Sequence, residues 1–586
     1  MSLICVVKRG IAEYPDKRTL FRPSEEYPEY LFRGEVSKEE NPVYDMVREG
    51  LRMLGLDTEH AGQPSWNPFG GTVAPGNTVL IKPNLVLHEN KSGGGVDCLY
   101  TNPSLVAAVV DYVCIALKGR GKIVIGDAPL QECDYQTLIN QAGYEILIDF
   151  YRKKGIEIEL ADFRNIKTYE KGGLHYLQEE QGSQGIIVNL GENSAFADVS
   201  PERMRNLRIT NYDPRILQRH HHGKTHEYNI SKYVLDADVI INMPKPKTHR
   251  KAGVTISLKN LVGINANKEF LPHHTAGSKA EGGDAYLHTS SLLEMANQTL
   301  DIKNELVQEG EFVLATQAEA FYNNLMAAGR ERVGELFWEG SWYGNDTIWR
   351  TILDLNRILL YADKNGAVMD TRQRKIFIVG DMIVSGEKEG PLEPSPVYPG
   401  AIVLGDDPLK FDQAVCSLMG FDFRDIPTLN NTELVKPDHP ISDFSEPEVI
   451  SNYKPWDRKS LDEIREHASL KFQPSFGWLQ KLGSRYRDDL YRRIRESGNV
   501  VYIFGAGLNG VYAAKELQLE GIQVAAFCDN NPELWGKEIL GGIHCIRLGD
   551  AERGLPFIIA AKDQAAPEIQ RQIEDSSGKV LGIINK

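Results

Sequence analysis

A chain of 586 residues exceeds what one hydrophobic core can serve and implies roughly two to four domains. Its 66 Lys+Arg against 81 Asp+Glu give a net charge of −15, which disfavours nucleic acid as a partner because that would need a broad basic face. No run approaches the roughly 18–20 apolar residues of a membrane helix, so no membrane insertion is expected.

The opening residues, MSLICVVKRGIAEYP, carry a short apolar run that stops at Lys8. They read as a first β-strand and not as a secretory leader, which makes the cytoplasm the expected compartment. The seven cysteines are scattered and contain no C-x-x-C. That pattern argues against a disulfide framework and against a cysteine-built zinc or iron–sulfur site, so no iron–sulfur cluster is expected.

One unit then recurs along the chain: a short apolar, β-branched run ending in Gly, Asp, Pro or Lys. It appears at 77–86, 122–129, 237–247, 375–384 and 401–408. Runs that are apolar throughout belong to strands buried on both faces. Helical patterns lie between them, at 104–121 after Pro103 and at 407–421 from a candidate Asp407 cap to Gly420. The implied fold class is α/β, a mostly parallel sheet with helices on its faces, plus a small second α/β domain. Residues 1–425 are expected to form the main domain, with a helical insertion at about 284–366. Residues 426–497 read as a linker ending in a charged helix, and 498–586 as the second domain.

The stretch from Asp238 to Ile264, DVIINMPKPKTHRKAGVTISLKNLVGI, stands out. Val239 to Lys268 holds no acidic residue but six Lys or Arg, inside an acidic protein. Such an island reads as a receptor for a phosphate or carboxylate. Lys245, Lys247 and His249 alternate in K-P-K-T-H, so extended backbone would turn all three to one face. Lys259 and Asn260 follow among apolar neighbours. Lys259 there would have a lowered pKa and serve as a base or as partner of a substrate carboxylate, a structural ion pair being the equal alternative. Lys82 and Asn84 follow an earlier strand and would join the substrate site. Asp127 and Asp381 each stand in Gly-Asp at a strand end, where they would hold Mg²⁺ or a similar divalent cation or simply cap a turn. His273 and His274 lie in the Gly-rich LPHHTAGSKAEGGDAY and supply, with His249, candidate groups for proton transfer. His220–His222 with His226 look metal-like but fit an exposed polar segment better.

IKPNLV at 81–86, IGDAP at 125–129, DADVIINMPKPKTH…GVTISLKNLVGI at 236–264, VGDMIVSGEKEGPLEPSP at 379–396 and LGDDPLKFDQAVCSLMGFD at 404–422 together resemble the family known as domain of unknown function 362. The resemblance covers most of residues 75–425. Members often carry an added ferredoxin-like, cysteine-rich segment, which this chain lacks, so a redox role is not carried over from them. The family itself assigns no chemistry, and function has to come from the site.

In the C-terminal domain, Gly505-Ala506-Gly507-Leu508-Asn509-Gly510 is a G-x-G-x-x-G set between a strand and a helix, with Asp529 closing the next strand. Gly505 permits the turn, Gly507 a diphosphate's approach, Gly510 close helix packing, and Asp529 a ribose contact. The CDNNP…GK…G pattern from Cys528 to Gly542 resembles small nucleotide-binding modules attached to sugar-modifying enzymes of surface polysaccharide synthesis. That resemblance implies a nucleotide or nucleotide-sugar ligand.

The combined expectation is a cytoplasmic enzyme that performs metal-assisted group transfer on an anionic small-molecule substrate, with homo-oligomerisation left open. The alternatives are a non-catalytic nucleotide-binding sensor or scaffold, and a redox protein.

Overall fold

The computed structural model describes residues 3–171, 173–180, 185–432, 438–561 and 565–584. Eight strands form the main sheet: β1 (Leu3–Lys8), β2 (Thr78–Pro83), β3 (Lys122–Asp127), β4 (Ile158–Asp162), β5 (Val239–Met243), β6 (Lys375–Met382), β7 (Ala401–Gly405) and β8 (Glu448–Ser451). Their order across the sheet is β8-β1-β7-β6-β5-β2-β3-β4. Only β7 runs against the rest, so the sheet is mostly parallel as the apolar runs imply.

Both faces are covered. On β2, Leu80 packs into one core while Val79 and Ile81 pack into the other; on β5, Ile240 faces one way and Val239 and Ile241 the other. Helix α1 (Pro103–Leu117) fills one face; Asn102 caps it by accepting from the Ser104 amide, with Pro103 in its first turn.

Within the segment read as an insertion, helices α2 (Ser291–Gln308) and α3 (Phe312–Val333) pack on each other. The rest of that insertion is different. Helix α4 (Ile348–Tyr361) is buried along its whole length within the main core, so it is a structural element of the sheet domain and not a cap. Helix α5 (Pro408–Met419) starts on the Asp407 carboxylate, which accepts from the Leu409 and Lys410 amides at 3.0 Å, and ends on Gly420 in the left-handed region at φ 100°.

The expected linker also needs correction. Within 426–497, β8 supplies the eighth strand beside β1, and Ile441, Trp456, Ile464, Phe472 and Trp478 lie in the main core. Isolated apolar residues in a polar context give no periodicity, so their burial shows only in three dimensions.

The C-terminal residues form a sheet of their own from β9 (Val500–Phe504), β10 (Gln523–Cys528), β11 (Ile543–Ile546), β12 (Phe557–Ile559) and β13 (Val580–Ile583), with Glu538–Leu540 antiparallel at the edge. The five are mutually parallel in the order β11-β10-β9-β12-β13. Strand order therefore reverses at β9, and helix α6 (Leu508–Leu519) leaves the glycine turn at its carboxyl end.

Candidate active site

From β2 the main chain proceeds outward to β3 and β4, then returns to lay β5 on the other side of β2. Ligands of open α/β sheets bind where strand order reverses, at the carboxyl ends of the diverging strands. Here those ends are Lys82-Pro83 and Asn242-Met243, which lie side by side in register. Lys82, Asp127 and Asn260 meet here, and Asn84, Lys245 and Lys247 stand on the segments that leave these two strand ends.

Lys82 Nζ lies 2.7 Å from Asp127 Oδ1, and both side chains are sealed from solvent. Lys82 also donates to the Pro83 carbonyl at 2.8 Å and to Asn260 Oδ1 at 3.3 Å. The second Asp127 oxygen accepts from the Leu85 amide at 2.6 Å. Burial raises the Asp127 pKa and lowers that of Lys82, and their attraction opposes both shifts. Gly263 closes over this pair: a Cβ there would stand 1.9 Å from Asp127 Oδ1 and 2.9 Å from Lys82 Nζ.

A second ion pair is built alongside. Lys245 Nζ is 2.9 Å from Asp381 Oδ2, both side chains fully buried. Tyr14 completes a ring: its hydroxyl donates to Asp381 Oδ1 at 2.6 Å and accepts from Lys245 at 2.6 Å and from the Val384 amide at 3.1 Å. Burial and the Asp381 charge push the Tyr14 pKa well above its usual value, so the phenol stays protonated. Asp381 Oδ2 also accepts from the Asn102 amide at 2.9 Å, which anchors the start of α1 to the site.

The remaining cations have no carboxylate in contact among the described residues. Lys247 donates to Asn84 Oδ1 and to the Leu99 carbonyl at 2.8 Å. Burial, then the charges of Lys245 and Lys259, drives its pKa well down, while Asp127 acts the other way. Lys268 donates to the Ala128 carbonyl at 3.2 Å, and Lys251 to the Glu339 carbonyl. Burial lowers each to about 8. Lys259 makes no hydrogen bond or ion pair with a described residue, and burial beside Lys268 lowers it to about 7.

The histidines take places that composition does not reveal. His249 Nδ1 accepts from the Lys251 and Ala252 amides at 3.1 and 3.0 Å, so a neutral ring carries its proton on Nε2. His273 Nδ1 donates to the Leu271 carbonyl at 2.6 Å, which leaves Nε2 as an acceptor. Burial and the surrounding lysines hold His249 well below its usual pKa and push His273 down to about 3. Both shifts favour the neutral imidazole. His274 is buried, and its Nδ1 has no hydrogen-bond partner among the described residues.

The K-P-K-T-H alternation does not deliver three groups to one partner. Lys245 goes to Asp381 and Tyr14, Lys247 to Asn84, and His249 to its own loop. Asn260 bridges the two strand ends, donating to the Lys82 carbonyl at 3.2 Å and to Asn242 Oδ1 at 2.7 Å. Asp127 and Asp381 each face an ammonium, and among the described residues no three His, Cys, Asp or Glu side chains converge as a metal site. His221 and His226 are fully buried in an aromatic cluster with Phe196 and Tyr228, not exposed as the polar context suggested.

Sequence reading missed Tyr14, Gly263 and Lys268. Gly263 and Lys268 lie in or beside the basic stretch and were within reach. Tyr14 has no local signal, since its partner Asp381 is 367 residues away.

The C-terminal glycine turn lines a cavity of about 450 Å³ with Phe504, Asn509, Asp529, Asn530 and Ala560. Gly505 has φ +114° and stands where a Cβ would meet the Ala560 carbonyl at 2.4 Å; at Gly510 a Cβ would meet the Gly505 carbonyl at 1.9 Å; at Gly507 it would meet open space. Asp529 binds the turn itself, accepting from the Ala506 amide at 2.8 Å.

The family described as domain of unknown function (DUF362) matches residues 79–181 and 191–417, more than half of the chain and both ion-paired corners. The chain belongs to this family. A thylakoid-associated protein of Synechocystis sp. is 28% identical over 239 residues, 40% of this chain and 55% of that protein, so the chain spans about half the length of this relative. A crystal structure of a Thermotoga maritima protein covers 64% of this chain and 58% of its own at 11% identity, with a TM-score of 0.25, a likeness too slight to define a shared fold. Among the described residues no helix is long and apolar enough to cross a membrane.

Proposed function

We propose that this DUF362 protein is an enzyme acting on an anionic metabolite, phosphorylated or carboxylated, bound at the switch point between β2 and β5. The observation that carries the reading is the charge imbalance there. Six lysines (Lys82, Lys245, Lys247, Lys251, Lys259 and Lys268) meet two paired carboxylates, and four of the six contact no carboxylate among the described residues. Holding unpaired ammonium groups away from water costs several kcal/mol each, and an anionic ligand removes that cost. Lys247 and Lys268 would hold the anion, with Lys259 as the proton acceptor.

The C-terminal domain fits a Rossmann-like module for a nucleotide or nucleotide-bearing substrate, in keeping with its strand order and the open space at Gly507. Group transfer from a nucleotide-linked sugar is the reaction class this pairing supports best, which would suit surface polysaccharide synthesis in the cytoplasm. The same cavity favours the second reading, a nucleotide sensor without turnover. A divalent cation at Asp127 or Asp381 would compete with Lys82 or Lys245 for the same oxygens.

Thermal unfolding with phosphate, diphosphate, dicarboxylates, nucleotides and sugar nucleotides, each with and without Mg²⁺, tests the proposal. Stabilisation by an anion in the wild type and its loss in Lys247→Met are expected. No shift with any anion would overturn it.

A further inference from the structure

Resting on the anion-site reading above, we propose that Lys259 is a covalent catalyst: its amine forms an imine with the carbonyl carbon of an anionic aldehyde or ketone. Five of the six lysines at the switch point donate to at least one oxygen of the protein. Lys259 alone among them has no such bond to a described residue, so nothing in its surroundings holds the nitrogen as an ammonium.

Its carrier is rigid. Lys259 lies in the single helical turn Ser257–Asn260. The buried Asp412 carboxylate accepts from the Ser257 amide at 2.8 Å, the Ser257 hydroxyl at 2.5 Å and the Leu258 amide at 3.0 Å. Asn356 donates to the Leu258 carbonyl at 2.9 Å, and Asn260 is tied to both strand ends. The flanking Leu258 and Asn260 are buried while Lys259 as a residue is half-buried, so a single lysine stands on a fixed base. Burial of the amine, then the neighbouring charge of Lys268, lowers it to about 7, which favours the free amine near neutral pH.

The surrounding cations select the substrate: an anionic group on Lys247 and Lys268 would place a carbonyl of the same molecule near the amine. The step balances without a co-reactant. The Nζ lone pair adds to the carbonyl carbon, the nitrogen gives up its two protons, the carbonyl oxygen departs as water, and the C=N bond remains.

Pyridoxal 5′-phosphate, an anionic aldehyde, is the probe. The full chain is treated with a limiting amount, reduced with borohydride and mapped by peptide mass spectrometry. The expected result is a near-stoichiometric adduct on Lys259, labelled at least tenfold faster than any other lysine and slowed by inorganic phosphate. Lys259→Arg should lose that adduct yet keep its thermal stabilisation by phosphate. Labelling spread over exposed lysines with Lys259 unmodified would overturn the proposal, and the wild-type map decides this even if the variant does not fold. Stabilisation by phosphate or another anion in that case leaves the anion site standing and removes only the covalent role, whereas the absence of stabilisation by every anion tested removes both.

Discussion

Lys82 and Asp127 form a sealed ion pair, 2.7 Å apart, at the exact end of two neighbouring parallel strands. The pair is a structural hinge pin for the site. Asp127 spends its other oxygen on the Leu85 amide, and so fixes the direction in which the chain leaves β2 toward Asn84, the acceptor for Lys247. Charge burial here sets the local geometry of the strand ends more than it stabilises the fold.

Breaking that pair on one side should cost more than removing it whole. Lys82→Met leaves a buried carboxylate and is expected to destabilise by about 3–5 kcal/mol. Asp127→Asn should do the same in kind, and the double variant should be milder than the sum of the two. Urea unfolding of the three variants checks this. Additive losses would show that the pair is not coupled.

Gly263→Ala should be severely destabilising for so small a change. The new methyl would lie 1.9 Å from Asp127 Oδ1, and that oxygen is held by Lys82 and cannot retreat. A loss of about 2 kcal/mol or more is expected, in the range of overpacked cores. Gly93→Ala serves as a comparison, since a Cβ there meets open space and only its φ of +77° resists. Thermal melts compare the two.

Acid should destabilise the protein earlier than its carboxylates alone would dictate. Burial lowers His221 to about 3 and His226 to about 4. Both titrate near 6.5 when unfolded, so below that pH the unfolded chain binds protons that the folded one refuses. Their contribution is intact above pH 6.5 and is lost as pH falls beneath it, by about 2 kcal/mol per histidine at pH 5. Among the described residues His226 has no hydrogen-bond partner on either ring nitrogen, so His226→Phe should flatten the pH profile of the melting temperature without lowering it at pH 8.

In the C-terminal domain, two glycines of the same turn should behave oppositely. Gly510→Ala drives a methyl to 1.9 Å from the Gly505 carbonyl and should unfold or loosen the domain. Gly507 has φ −84° and open space around it, so Gly507→Ala should keep its stability and lose only nucleotide affinity, by about tenfold or more. Calorimetric titration with nucleotides, alongside melts, separates the effects.

Much of this protein follows from its chain alone. Strands that are apolar on both faces must be sandwiched, so the α/β class and the mostly parallel sheet were determined by local composition. The basic island in an acidic chain likewise drew attention to Lys245, Lys247 and Lys259, but their separate partners show only in the folded chain. Tertiary structure alone decided the pairings. Tyr14 meets Lys245 across 231 residues, β8 joins β1 across more than 440, and α4 sinks into the core instead of capping it. Contacts between distant segments depend on how strands are ordered in the sheet, and strand order is a property of the whole packed assembly that no local pattern encodes. The same holds for proton chemistry: a histidine's type suggests a neutral-pH switch, but burial among lysines lowers the pKa of both His249 and His273.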